Sequence, residues 1–316
     1  MKAAVIDKLG QRPVYKDFKN PIASGNSVVI DVSTASLNNL AKLRATGQHY
    51  SSPKTYPNVA GMDGVGLLDS QRVYFFTTVA PFGAFAEQTL VDKSQIIPVP
   101  DEVDDIMAAA IANPGMSSWT ALVKRIHLKK GQTVLINGAT GSAGSLAVKI
   151  AYSLGAKKVI VTGRNAEKLS KLGADAFVAF DVTTPQGREK FIKDLQPYLI
   201  DKVDAVIDYL WGDSALAIIN AIAVAPGNYP TRFANLGQSA NQPDIDLPSA
   251  FLRASGIELL GSGIKSVTDK DYLEGISYVF DLTAKGELTT PFETYKLEDI
   301  DLAWDKPITP RPILLI

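Results

Sequence analysis

Three glycines stand three residues apart in "VLINGATGSAGSLAVKIAYSLGA": Gly138, Gly141 and Gly144. The run before them, "TVLING", is continuously apolar, as a buried strand is. The run after them places Leu146, Ile150 and Leu154 at helical spacing, with Gly155 as a C-terminal stop. A turn from strand to helix needs backbone freedom, which glycine supplies. The helix N-terminus then offers unpaired N–H groups and the positive end of a dipole to a pyrophosphate. Gly138, Ala139, Thr140, Gly141, Ser142, Ala143 and Gly144 are therefore the candidate phosphate cradle, with Gly144 letting helix and strand pack closely.

A second buried strand, "KVIVTG", follows the helix, and its end selects the dinucleotide. An Asp or Glu there would bond the ribose 2′-hydroxyl of NAD. The chain reads "VTGRNAEKLSK" instead: Thr162 and Gly163 lead to Arg164, with Lys168 one turn later and no acid at 163–165. A guanidinium suits a 2′-phosphate by charge and by its fork of donors. NADP(H) is expected rather than NAD(H).

The elements that must hold this cradle alternate. "AFVAF", "VDAVIDYL", "RFANLG" and "IELLGSG" read as further buried strands separated by helices, which predicts a parallel sheet covered on both faces. Residues 1–100 differ. "AAVI", "SVVIDVSTASL", "RVYFF" and "GAFAEQTLV" are short β-like runs broken by Gly, Pro and Asn. "DEVDDIMAAAIA" reads as a helix with acids in its first turn, and "SSWTALVKRI" as a second helix. The tail returns to "ETYKLEDIDLAWDK" and a closing "ILLI". The order predicts an α/β domain inserted in a discontinuous β-rich domain: residues 1–121 and 263–316 outside, 122–262 inside.

Composition excludes several function classes. Apolar residues make up 46% and charged residues 21% of 316, which is ordinary for a globular chain. The net charge of −1 provides no field to draw nucleic acid or an anionic membrane, and neither partner is expected. There is no cysteine, so disulfides, thiolate metal sites and a Cys nucleophile are all absent. "MKAAVIDKLGQRPVY" reads as no signal peptide, because Asp7 and Lys8 end its apolar run. A soluble cytoplasmic protein is the expectation.

In total the chain resembles the medium-chain dehydrogenases/reductases, in their zinc-free quinone oxidoreductase branch. Beside the cradle, the marks are "GAFAEQTLV" with "IIPVPDEVD", "NPGMSSWTAL", "GAD" at 173–175, "DYLWG" at 208–212, "LRASGIELLGSG" and "YKLEDIDLAWD", in that order. The resemblance implies an α/β chain in which a GroES-like β-rich domain is interrupted by a Rossmann domain. Zinc-dependent members carry a catalytic Cys and a Gly-His-Glu. The corresponding stretches here are "SLNNLAKL" and "AGMDGVG", with Met62 at the His position and Asp63 at the Glu position. A lone methionine is too soft to hold Zn²⁺, so no metal site is expected. His127 reads as a surface residue, and His49 falls in the loop "ATGQHYSSP", where one His makes no metal site. Asp63 is left two readings: a bond to nearby backbone, or the remnant of the zinc site's acid.

The resemblance further implies NADPH-dependent hydride transfer to a quinone or an α,β-unsaturated carbonyl. Such an acceptor needs a hydrogen-bond donor for its developing oxyanion. Asn38, the Asn of the family's Asn-x-x-Asp, belongs beside the nicotinamide or serves as a loop cap, and the family's Asp falls on Ala41. Ser117 matches a family Thr near the nicotinamide. Tyr50 and Tyr56 sit in the loop that should roof the acceptor, with core packing as the alternative. Tyr209, Leu210, Gly237 and Gln238 should line the coenzyme. Phe180 replaces a Tyr that other members place by the 2′-phosphate. Two other activities stay open, an enoyl-thioester reductase and an NADPH-binding protein without turnover. The family tends to pair coenzyme domains edge to edge, which implies a homodimer.

Overall fold

A computed structural model describes residues 1–49, 51–227 and 229–316. The chain divides into two compact units, one made of Met1–Pro114 with Ile276–Ile316 and the other of Gly115–Gly275.

In the first unit the short apolar runs become strands: β1 (Lys2–Ile6), β2 (Val14–Asp17), β3 (Ser27–Ser36), β4 (Asn58–Val59), β5 (Gly64–Leu68), β6 (Gln71–Phe75), β7 (Gln88–Asp92) and β8 (Ile96–Pro98). One short helix, α1 (Asn39–Ala45), follows β3. Asn38 caps it, accepting from the Ala41 N–H at 2.8 Å. β5 and β6 form an antiparallel hairpin through Asp69 and Ser70, both at positive φ.

Helix α2 (Asp105–Thr120) starts where Asp104 accepts from the Met107 N–H, and it carries the chain across the unit boundary. The "NPG" at 113–115 suggests a break between two helices, but the structure runs one helix through it. Pro114 costs one backbone hydrogen bond. Complete burial of Ala108–Ala112, with Met116 and Trp119 also buried, outweighs that loss.

The second unit holds β9 (Thr133–Asn137), α3 (Ser142–Ser153), β10 (Lys158–Gly163), α4 (Ala166–Ser170), β11 (Ala176–Ala179), α5 (Pro185–Ile200), β12 (Ala205–Asp208), α6 (Gly212–Val224), β13 (Pro230–Asn235), α7 (Ser249–Arg253) and β14 (Gly256–Gly261). The six strands pair in parallel in the order β11-β10-β9-β12-β13-β14. This is the doubly wound dinucleotide order, in which ligands sit outside the carboxyl ends of the strands at the reversal. All five residues of β9 are buried, which explains its unbroken apolar pattern. Leu135, Ile160, Val206 and Phe233 pack with Phe191 and Leu195 of α5 and Ile218 and Ile219 of α6. Each such burial contributes ~1.5–3 kcal/mol.

Helix α8 (Asp269–Ala284) returns the chain to the first unit. There β15 (Phe292–Lys296), α9 (Ile300–Trp304) and β16 (Arg311–Leu315) complete it. β16 pairs antiparallel with β3, closing a sheet of order β15-β16-β3-β5-β6-β8. Trp304 and Leu314 join Ile6, Ile30, Leu37, Phe75 and Phe85 in that unit's core. The expected α/β class, a β-rich part interrupted by a Rossmann domain, is the observed architecture.

Candidate functional site

The cradle forms at the end of β9. Gly138 turns there at φ +84°, a conformation that L side chains rarely adopt. Its N–H and that of Ala139 donate to the Thr162 carbonyl at 3.0 and 3.1 Å. The Gly141 N–H donates to the Gly138 carbonyl at 3.2 Å, closing the turn. A Cβ on Gly144 would stand 2.5 Å from the Gly138 oxygen and 2.7 Å from the Ala139 Cα, so only glycine permits this approach. Gly141 is exposed at the N-cap of α3 and supplies no side-chain cap. Helix α3 thus starts with no capping side chain at its N-cap, and the positive end of its dipole lies there. Ala139, Ser142 and Gly144 are buried, while Thr140 and Ala143 are partly exposed.

β10 ends beside this turn. Thr162 is buried and donates to Asn137 Oδ1 at 2.7 Å, and Gly163 is buried after it. Arg164 and Lys168 are exposed, and among the described residues neither side chain has a hydrogen-bond or ion-pair partner. Asn165 caps α4 by accepting from the Lys168 N–H at 2.9 Å, which sets both cations at that strand end. Phe180 is buried in the core against Phe191, with ring centroids 4.6 Å apart.

The floor of this unit's strand ends is a polar network that the sequence reading did not anticipate. Asp208, fully buried, accepts from Asn137 Nδ2 (2.8 Å), Asn235 Nδ2 (3.1 Å), the Leu210 N–H (3.0 Å) and the Trp211 N–H (3.1 Å). Burial still holds its carboxyl above the ordinary range, against those four donors. The bonds fix the turn that carries Tyr209 and Leu210. The Leu210 side chain lies over Gly138, where an added Cβ would meet its Cγ at 2.9 Å. Gly237 accepts from Asn235 Nδ2 at 2.7 Å, and Gln238 is exposed. The Tyr209 hydroxyl shares a 2.7 Å hydrogen bond with Ser118 Oγ, and burial pushes its pKa up. Ser117, expected near the nicotinamide, is partly buried one position earlier.

In the first unit Asn38 is buried at the start of α1 and donates to Asp63 Oδ1 at 3.0 Å. Tyr74 donates to Asp63 Oδ2 at 2.9 Å. Asp63 is fully buried, and its carboxyl is pushed up to about 6. Desolvation raises it, while the Tyr74 bond, the Arg311 charge and the Asn38 bond all oppose that rise. Desolvation brings Arg311, also buried, down to about 10. Asp63 thus bonds side chains and orients Asn38.

Met62 is buried, but its surroundings are not purely apolar. Arg44 Nη1 donates to Met62 Sδ and to Ser51 Oγ, both at 3.4 Å. His49 Nδ1 lies 2.8 Å from Ser51 Oγ, and burial followed by the Arg44 charge lowers its pKa. His127 is exposed, as expected. Tyr56 packs against the core with its hydroxyl buried and without a hydrogen-bond partner among the described residues. Tyr50 lies outside the described residues. No group of three or more His, Cys, Asp or Glu among the described residues could hold a metal ion. No helix among them is long and apolar enough to cross a membrane.

No protein-family model matches the chain. "Probable NADPH-dependent quinone reductase tdiC" of Emericella nidulans is 24% identical over 298 residues, covering 82% of this chain and 83% of its own length. A trans-enoyl reductase of Aspergillus terreus is 25% identical over 228 residues, covering 69% of this chain and 61% of that relative. Among solved structures, the quinone oxidoreductase of Thermus thermophilus, also solved in complex with NADPH, superposes with a TM-score of 0.79. That match has 21% identity and covers all of both chains. The chain is thus similar in sequence to proteins named as quinone and trans-enoyl reductases, and it shares the fold of the solved quinone oxidoreductase.

Proposed function

We propose that this protein is an NADPH-dependent, zinc-independent reductase that passes hydride to a quinone or an α,β-unsaturated carbonyl. The observation that carries it is the Gly138–Gly144 cradle followed by two exposed cations, Arg164 and Lys168, unpartnered among the described residues, where an NAD site would have an acid. The relatives named for quinone reduction and the NADPH-bound neighbour support the same coenzyme.

Bound NADPH would supply the hydride. The turn at 138–144 and the first N–H groups of α3 would hold the pyrophosphate, and Arg164 with Lys168 the 2′-phosphate. Tyr209, Leu210, Gly237 and Gln238 border the same strand ends. Asn38 spends one amide proton on Asp63 and its oxygen on Ala41, so a second proton remains for a developing oxyanion. Asp63 fixes the direction in which that proton points. The roles of Ser117 and Tyr50 as positioning groups belong to the same proposal, as does residues 122–262 as the coenzyme-binding domain. So does a cytoplasmic homodimer. Edge strand β14, with Leu259 exposed, is the element that would pair between copies.

The test is loss of NADPH absorbance with small quinones. Arg164→Glu should raise the Michaelis constant for NADPH by roughly 10- to 100-fold and that for NADH much less. Equal use of both coenzymes by the parent enzyme sinks the NADP assignment. A second reading, an enoyl-thioester reductase, is favoured by the trans-enoyl reductase relative and by the unpartnered Tyr56 hydroxyl. It expects turnover of crotonyl-CoA that Tyr56→Phe abolishes. Tight NADPH binding with no oxidation by either acceptor panel would instead mark a binding protein.

A further inference from the structure

Arg44 is a partly buried guanidinium with no carboxylate partner among the described residues. It sits on α1, the helix that Asn38 caps. Among the described residues its side chain reaches only Ser51 Oγ and Met62 Sδ, both at 3.4 Å, the long end for a hydrogen bond. A guanidinium carries five N–H donors and no acceptor, so most of its capacity is not taken up by the described protein residues. The nearest acid along the chain from Met62 is Asp63, which is committed to Asn38 and Tyr74. Burial lowers the Arg44 pKa, and no acidic group opposes that shift. A partly buried cation without a counter-ion in the protein is disposed to take an anion from outside. A cavity of about 30 Å³ lies against Arg44, lined by Ala41, Asn58, Gly61 and Thr78. It has room for about one oxygen of a carboxylate, and the partly exposed guanidinium leaves its remaining edge open for the other.

Residues 62 and 63 tie this cation to the donor already described. Asp63 holds Asn38 at the start of α1, and Met62, the preceding residue, touches Arg44 near its end. We infer that Arg44, with Ser51 beside it, is a specificity-determining residue that receives a carboxylate carried by the acceptor. The acceptors are then quinones or enones bearing an acidic substituent. This inference rests on the reductase reading, in which Asn38 faces the acceptor. A carboxylate matches the guanidinium fork with two parallel hydrogen bonds, whereas a neutral acceptor leaves the fork unmatched.

Two measurements on the full chain test it. The first compares kcat/KM for a neutral naphthoquinone with that for the same quinone bearing a carboxylate. The parent should favour the carboxylate by about tenfold or more, the scale of one charge-assisted pair. Arg44→Met should remove the preference, and Arg44→Lys, which keeps the charge but loses the fork, should retain part of it. The second is calorimetric titration of the NADPH-loaded protein with benzoate, which should bind the parent and not Arg44→Met. A carboxylate preference and benzoate affinity that are the same in the parent and in a folded Arg44→Met overturn the inference, as does a parent with neither. Should Arg44→Met fail to fold, Arg44→Lys decides: full parental preference and affinity overturn the fork. Absence of turnover with both quinones removes the reductase reading alone, while benzoate binding by the parent and its loss at Arg44 still hold or sink the anion site.

Discussion

Each unit of this protein buries an aspartate with asparagine as a donor, and the two aspartates are held in different ways. Asp208 takes two of its four bonds from backbone N–H groups of Leu210 and Trp211. Asp63 takes both of its bonds from side chains, Asn38 and Tyr74, with the Arg311 charge acting on it as well. Desolvation raises both carboxyls. The comparison separates two uses of a costly group. An aspartate that binds backbone determines where the chain goes. An aspartate that binds side chains determines how those side chains are oriented. Trp211 shows the first use, since it stands at φ +61°, a strained place for a bulky residue that Asp208 holds from its N–H side.

The largest effect should therefore come from Asp208→Ala. Asn137 Nδ2 keeps Ser214 and Asn235 Nδ2 keeps Gly237, but the Leu210 and Trp211 N–H groups lose their acceptor. The loss of folding free energy should be about 3–5 kcal/mol, read by urea unfolding. NADPH affinity should fall too, because the freed turn carries Tyr209 and the Leu210 side chain that covers Gly138. A loss under ~1 kcal/mol would show that the backbone bonds do not carry the turn, and the contrast between the two aspartates would collapse.

Asp63→Asn probes the other side, and its signature is a pH dependence. A folded-state pKa of about 6 lies above the ordinary 3.8. The folded protein therefore binds a proton more tightly than the unfolded chain does. The contribution of Asp63 to stability is fully present below about pH 4 and is lost as pH rises through about 6. The amide introduced by the substitution cannot titrate. The stability difference between parent and variant should thus shrink by about 2–3 kcal/mol from pH 4 to pH 7. Asp208 is unchanged in both proteins and drops out of that difference. The new amide can still accept from Asn38 Nδ2 while donating to the Tyr74 hydroxyl, so the variant should fold. A pH-independent difference would place Asp63 ionised throughout the range.

What the sequence disclosed follows from how local each feature is. The cradle was legible because its three glycines lie between one strand and the next helix, within a few residues. The placement of Arg164 and Lys168 was legible because the strand end and the next helix turn are neighbours in the chain. The Asp208 network was not, because Asn137, Thr162, Asp208 and Asn235 come from four strands whose adjacency only the sheet order reveals. The Ser118–Tyr209 contact was not legible either, because the two residues lie far apart in the chain. The Asp63–Tyr74 pair left a usable signal, since the hairpin register sets Gly64 opposite Phe75 and so brings their neighbours together. Arg311 left none, as it arrives from the far end of the chain on β16. Arg44 was hidden because nothing in its local spacing says that an arginine will lack an acid.

The smallest expected effect is the sharpest probe of the side-chain-held aspartate. Tyr74→Phe removes one hydroxyl and should keep the edge-to-face packing of the ring on Phe280, with centroids 5.9 Å apart at 89°. One buried hydrogen bond is lost, for a cost of about 1 kcal/mol. Asp63 then keeps the Asn38 amide as its one hydrogen-bond donor. The Tyr74 bond lowers the Asp63 pKa, so its loss should move the titration above about 6. The carboxyl carbon resonance of Asp63, followed across pH, reads that midpoint directly. A protonated Asp63 can donate, and Asn38 Nδ2 then faces a weaker acceptor. Near neutral pH the variant should accordingly hold Asn38 less firmly and lose kcat more than it raises KM. An unmoved midpoint would mean that burial alone sets Asp63, and that Tyr74 packs beside the acid without steering it.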